Sequence, residues 1–196
     1  MPRLIRILIP LLAATLLIGG CATSYVLDNQ VQAFAGSATL TQPATYRFDR
    51  LPSQQADPGQ AQLEAWADPA LHAGGLRRDD AAPRYAVQVI ARSQAILSPW
   101  ADPWDFAGGW GFGGPRWGFG VRHRFPAADY PWYQRDVTVI VREVAGNKVV
   151  FESRATNTGP WRDHAAVLPA MFRAAMQGFP AAPRGPRRVD ITIPIS

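Results

Sequence analysis

The chain has 196 residues, 47% of them hydrophobic, enough apolar side chain for one core of ordinary domain size. Its 20 basic residues exceed 15 acidic ones, giving a formal charge of +5, and Lys148 is the only lysine among the basic residues. That mild excess falls short of the clustered basic face a nucleic-acid binder needs, and the single cysteine excludes an internal disulfide framework.

Arg3 and Arg6 form a short positive region, and Leu4, Ile5 and residues 7–18 form an apolar run. The run has the length of a signal-peptide core and is too short and too N-terminal for a spanning helix. It ends in Leu17-Ile18-Gly19-Gly20-Cys21, which resembles a bacterial lipobox. Small residues admit the backbone to a peptidase site, and the thiol that follows them takes a diacylglyceryl group. Residues 1–20 are therefore expected to be a signal peptide, cleaved between Gly20 and Cys21. Each acyl CH₂ buried in lipid contributes about 0.8 kcal/mol, so several chains, palmitate among them, hold a protein stably on a membrane. Lipidation also leaves no thiol for metal. Without Arg3 and Arg6 the basic count falls to 18 and, against 15 acidic residues, the net charge to +3. Ala22 and Thr23 follow the cysteine; by resemblance to Gram-negative lipoproteins, the lack of Asp there implies sorting to the outer membrane, periplasmic side.

Residues 21–30 read as a tether leading into a strand over 31–35, with 31–196 as a single domain. Tyr46 and Phe48 alternate with Arg47 and Asp49 as a strand. Asp57-Pro58 reads as an N-cap with Pro at the first helical position. Leu63, Trp66, Ala70 and Leu71 mark one face of that helix, Gly74-Gly75 stops it, and Pro69 is expected to kink or split it. Tyr85, Val87, Val89 and Ala91 alternate with Gln88 and Arg92 as a strand. Residues 96–133 read as a long irregular stretch. Val137, Val139 and Val141 then face inward on a strand, Ala145-Gly146-Asn147 turns, and Val149, Phe151, Ser153 and Ala155 continue the hairpin. Thr158-Gly159-Pro160 opens a second helix, buried through Leu168, Phe172, Ala175 and Met176, whose start Pro169 shifts later. Gly178 and Pro180 end it. Val189, Ile191, Ile193 and Ile195 alternate with Asp190 and Thr192 as a last strand. The expected fold is α+β: a mainly antiparallel sheet with two helices packed on one face, in two β-β-α-β-like halves joined by a long Gly/Trp-rich loop.

The lipobox, "TYRFDRLPS", a helix ending "GGLRR", the hairpin "VTVIVREVAGNKVVFESRAT" and a C-terminal helix and strand follow one another. Together they resemble the bacterial lipoprotein family of domain of unknown function 4136, across most of the mature chain. Val137 to Val141, Gly146, Asn147, Val149 to Phe151, Arg154 and Ala155 occupy the family's hairpin. The resemblance implies an envelope lipoprotein without an established activity, and carries over no catalytic residue.

The residues themselves offer little catalytic chemistry. His72, His123 and His164 lack partners at metal-ligand spacing. Ser37, Ser93, Ser98 and Ser153 lack a G-x-S-x-G or S-x-x-K setting. Asp102 and Asp105, beside Trp100, Trp104 and Trp110, allow the alternative of a glycan-acting enzyme. Asp-Pro recurs at residues 57–58, 68–69 and 102–103, however, which fits turn and cap chemistry better. No enzymatic activity, cofactor or metal is expected.

Residues 108–120, "GGWGFGGPRWGFG", contain G-x-G-x-x-G from Gly109 through Gly111 to Gly114. No strand leads into it and Pro115 follows it, so it is not a dinucleotide loop. Trp104, Trp110, Phe112, Arg116, Trp117 and Phe119 are candidate contact residues; they cover the domain's own sheet, touch a partner or the membrane interface, or form a mobile loop. Arg122, His123 and Arg124 are a candidate anion contact or a solvated edge. The expected partners are the membrane, through lipid on Cys21, and an envelope protein or the cell wall; nucleic acid is not among them. The expected role is binding or structural support.

Overall fold

A computed structural model describes residues 24–36, 40, 43–99 and 131–194. In chain order its elements are β1 (Ser24–Ala35), β2 (Thr45–Phe48), α1 (Pro52–Gln55), α2 (Gln60–Ala73), β3 (Arg77–Arg78), β4 (Tyr85–Ile96), β5 (Trp132–Glu143), β6 (Lys148–Gly159), α3 (His164–Met176) and β7 (Arg187–Pro194). The strands form one sheet in the order β3-β2-β4-β5-β6-β1-β7. β2 runs parallel to β3 and β4; the other neighbours are antiparallel. The fold is the expected α+β type.

Period-two alternation decides which side of the sheet is covered. Val87 and Val89 on β4, Val137, Val139 and Val141 on β5, and Phe151 and Ala155 on β6 are buried on one face. α3 packs across β1, β5, β6 and β7, and α2 packs on α3 and β4, so both longer helices share that face. α3 supplies Val167, Leu168, Ala170, Met171, Phe172, Ala174, Ala175 and Met176 to the core. The two halves are not separate sheets, because β1 inserts between β6 and β7.

Several boundaries differ from expectation. The tether expected over residues 21–30 is strand from Ser24 onward, paired with β7 over residues 24–31 and with β6 from Gln30. Leu27, Val31 and Ala33 alternate inward, and the polar Asn29 shares their parity, interrupting the apolar signal. Val149 is exposed and Val150 buried, because a bulge between Val141 and Arg142 places Val150 as the extra residue. Asn147 takes φ 49° in the expected hairpin turn, a conformation Asn tolerates. Thr158 and Gly159 belong to β6; α3 starts later, behind Asp163, whose carboxylate accepts from the Ala165 and Ala166 amides at 2.8 and 3.3 Å. Asp57 accepts from the Gly59 amide at 2.8 Å, but α2 begins at Gln60, so Pro58 precedes the helix.

Pro69 and Pro169 lie inside their helices without ending them. Each removes one helical hydrogen bond. Buried residues on both sides of each proline, Ala67 with Ala70 and Leu168 with Ala170, pin the flanking turns to the core and offset that loss. The buried stripe of α2 is Gln60, Glu64, Ala67, Ala70 and Leu71, whereas Leu63 and Trp66 are only half-buried.

Candidate functional site at one end of the sheet

The strand register assembles a polar row within the covered face. Arg135 on β5 lies directly opposite Asn157 on β6. Asn29 on β1 sits one residue beyond the Gln30–Thr156 pair and directly opposite Val189 on β7. Arg135, Asn157 and Asn29 are all buried, and Arg135 has no exposed surface. The amides tie strands together: Asn29 Nδ2 donates to the Leu27 and Val189 carbonyls, each at 3.1 Å, and Asn157 Nδ2 to the Asp28 carbonyl at 2.7 Å.

Aromatic rings roof this row where β6 passes into α3. Tyr25 stacks on Trp161 with centroids 3.8 Å apart and planes 17° from parallel. The Arg135 guanidinium lies 4.9 Å from the Tyr133 ring centroid and donates through Nη2 to the Trp161 carbonyl. Tyr133 meets His164 edge-on at 6.5 Å. Among the described residues, Arg135 Nε and Nη1 have no acceptor, and no carboxylate forms a salt bridge with Arg135. A cation is thus held in the core by one carbonyl and one ring face.

The titrating groups here are biased toward their uncharged forms, and burial is the largest cause in each case. Burial lowers the Arg135 pKa, against smaller opposing effects of Tyr133 and Tyr25. Burial, then the Arg135 charge, lowers that of His164, with Asp163 opposing. Burial, then Asp163, raises that of Tyr25, with Arg135 opposing. The bias reflects partial removal from water around a fully buried Arg135, with Tyr25 partly exposed and His164 exposed at the rim. The His164 shift has a defined consequence. A histidine whose pKa is lower folded than unfolded binds more protons when unfolded, so stability falls with pH through histidine's ordinary 6.5 toward the lowered folded value. Thermal melts between pH 7.5 and 5 are expected to show a smaller acid-side loss of Tm for His164→Gln than for the wild type. Equal losses would remove His164 from the acid response.

Two further polar clusters are built from residues that the sequence reading did not group as sites. On the open sheet face, Arg92, Ser93, Gln94, Gln134, Asp136 and Arg154 line a concavity of about 420 Å³. Its side chains bond one another: Gln94 donates to Gln134 at 2.8 Å, and Arg154 pairs with Asp136. Beneath α1, Arg50 holds the buried Glu64 bidentately, both contacts at 2.6 Å. Gln60 donates to Glu64 at 3.2 Å, and Gln54 donates to the Val89 carbonyl at 2.9 Å while accepting from Gln88 at 3.1 Å. This network fastens α1 and α2 to β4.

The family model described as a domain of unknown function (DUF4136) matches residues 30–181, which include Arg135 and Asn157 of the polar row, both longer helices and the hairpin. The chain belongs to the DUF4136 family. No curated protein matches this DUF4136 chain. Its fold is similar to that of a PDZ domain protein from Parabacteroides distasonis ATCC 8503, with TM-score 0.52 and 14% identity over 88% of this chain and 40% of that one. The DUF4136 chain therefore spans less than half of that protein's solved length, and the likeness concerns the fold alone. PelC dodecamers from Paraburkholderia phytofirmans match with TM-scores of 0.45 and, for a variant, 0.43. The identities are 16% and 17%, over 79% and 78% of this chain and 99% and 98% of those.

The residues singled out in the DUF4136 sequence, namely Gly20, Cys21, Asp102, Trp104, Asp105, Trp110, Phe112, Arg116, Trp117, Phe119, Arg122, His123 and Arg124, lie outside the described residues. So does the expected Gly/Trp-rich loop. The structure does show where these segments join the domain. Ile96, the last residue of β4, pairs with Trp132, the first of β5, so the chain between them leaves and returns at this end of the sheet. Ser24, which pairs with Pro194, begins β1 at the same end, because β1 and β5 run in the same direction. Arg135 and Asn29 were missed as site residues. The signal for Arg135 was its parity with Val137, Val139 and Val141, which places it on the covered face.

Proposed function

We propose that this DUF4136 chain is a lipid-anchored lipoprotein of the cell envelope, held on the periplasmic side of the outer membrane, that acts by binding or structural support. The observation that carries this reading is the Leu17-Ile18-Gly19-Gly20-Cys21 sequence, followed by β1 after only Ala22 and Thr23. Acyl chains on Cys21 supply the membrane attachment. The aromatic residues Trp104, Trp110, Phe112, Trp117 and Phe119 supply a contact surface that an envelope protein or the cell wall engages. A non-catalytic role is supported by the described polar groups, which bond strands, helices and one another. Cys21→Ser is expected to abolish palmitate labelling and move the protein from the membrane to the soluble fraction. Labelling that survives the substitution would overturn the anchor.

A further inference from the structure

We propose that the domain docks end-on against a lipid surface through the end of the sheet that carries Tyr25, Leu97, Trp132, Tyr133 and Trp161. This rests on the Cys21 anchor of the proposed function. Three Cα–Cα steps separate Cys21 from Ser24, and each spans about 3.8 Å, so the first residue of β1 stands within about 11 Å of the acylated residue. β1 is 12 residues long, and at about 3.3 Å per residue its far end lies close to 40 Å away. The exposed apolar side chains Phe34, Val144 and Val149 sit at that far end. A leash of about 11 Å keeps the near end at the leaflet that holds the acyl chains in every orientation, whereas the far-end side chains reach it only if β1 lies flat along the surface. Apolarity alone therefore does not choose the docking surface; the leash favours the near end.

The near end has the chemistry of an interface. Tyr25, Trp132, Tyr133 and Trp161 are each partly exposed, and Leu97 is 68% exposed. Tyr and Trp favour the headgroup level because one part of the ring system is apolar and another hydrogen-bonds to water. The Tyr25–Trp161 stack ties the start of β1 to the approach of α3. The interfacial rings are thus held by the domain core rather than by a separate loop. The open face of the sheet, by contrast, presents Gln30, Gln32, Gln94, Gln134 and Arg154, which gain nothing from leaving water.

The test uses full-length, acylated protein purified from cell membranes, in which acylated Cys21 takes no thiol label. Leu97→Cys at the near end, Gln30→Cys on the open face and Ala145→Cys in the far hairpin turn are each labelled with an environment-sensitive fluorophore. The proteins are bound to phosphatidylethanolamine/phosphatidylglycerol vesicles carrying a lipid with a headgroup-level doxyl quencher. Quenching is expected to be several-fold greater at position 97 than at 30 or 145. Equal quenching at all three, or the greatest quenching at 30 or 145, overturns end-on docking. Flotation of the unsubstituted protein with the vesicles, and the mass of its N-terminal peptide, report the anchor separately. An unacylated peptide with no flotation overturns the anchor and the docking mode together. Flotation with an unquenched label at 97 overturns the docking mode alone.

Discussion

Arg135→Ala is expected to lose about 3 kcal/mol of folding stability, while Arg135→Met is expected to lose less than about 1 kcal/mol. Arg135 is among the largest fully buried side chains, so truncation to Ala leaves a cavity beneath Tyr133 and Trp161. It also strips the Trp161 carbonyl of its donor, which costs about 1–3 kcal/mol in a buried setting, and removes the guanidinium–ring contact with Tyr133. Met keeps most of the volume and the ring contact. It loses the same hydrogen bond but removes a buried charge that no carboxylate balances among the described residues. Relief of that desolvation offsets much of the loss. Urea titration of both variants measures the difference. Equal destabilisation by Ala and Met would show that the charge, rather than the space it fills, is what the fold requires.

Phe172→Ala is expected to lose about 3–5 kcal/mol, enough to lower Tm by about 10 °C in a domain of this size. Phe172 has no exposed surface and lies in the middle of α3, the helix that spans β1, β5, β6 and β7. Close packing on all sides leaves little room for the site to collapse around the missing ring. Arg173→Ala, on the exposed side of the same turn, is expected to stay within about 0.5 kcal/mol of wild type. The pair separates loss of core packing from any change in helix propensity, and calorimetry on both variants checks it. Comparable Tm values for the two would mean that α3 is not seated on the sheet through this face.

The strands with unbroken alternation were legible. Val137, Val139 and Val141 on β5, and Tyr85, Val87 and Val89 on β4, face the core as their spacing requires. Asn29 hid the first half of β1, because a buried amide reads as an exposed one until its partners, the Leu27 and Val189 carbonyls, are known. Val149 was read as inward because no local pattern announces a bulge; the register shift opposite Arg142 produces it. Pro69 and Pro169 were read by their local cost, and tertiary packing on either side of each outweighs that cost. Of the candidate site, the N-terminal lipobox and the aromatic segment were legible as motifs. The buried cluster of Arg135, Asn157 and Asn29 was not, since its three members lie on three strands far apart in the chain.

The sequence by itself determined the side of each regular strand that is buried, the presence of both longer helices and the family to which the chain belongs. Side-chain parity and helical spacing are local properties, set by the geometry of a few successive residues. Only the tertiary structure decided that β1 lies between β6 and β7, that Arg135 is sealed under Tyr133 and Trp161, and that β4 ends and β5 starts at the end of the sheet where β1 begins. Those outcomes depend on pairing between distant segments, where the gain from burying a shared face selects the register and no single stretch of sequence carries the information.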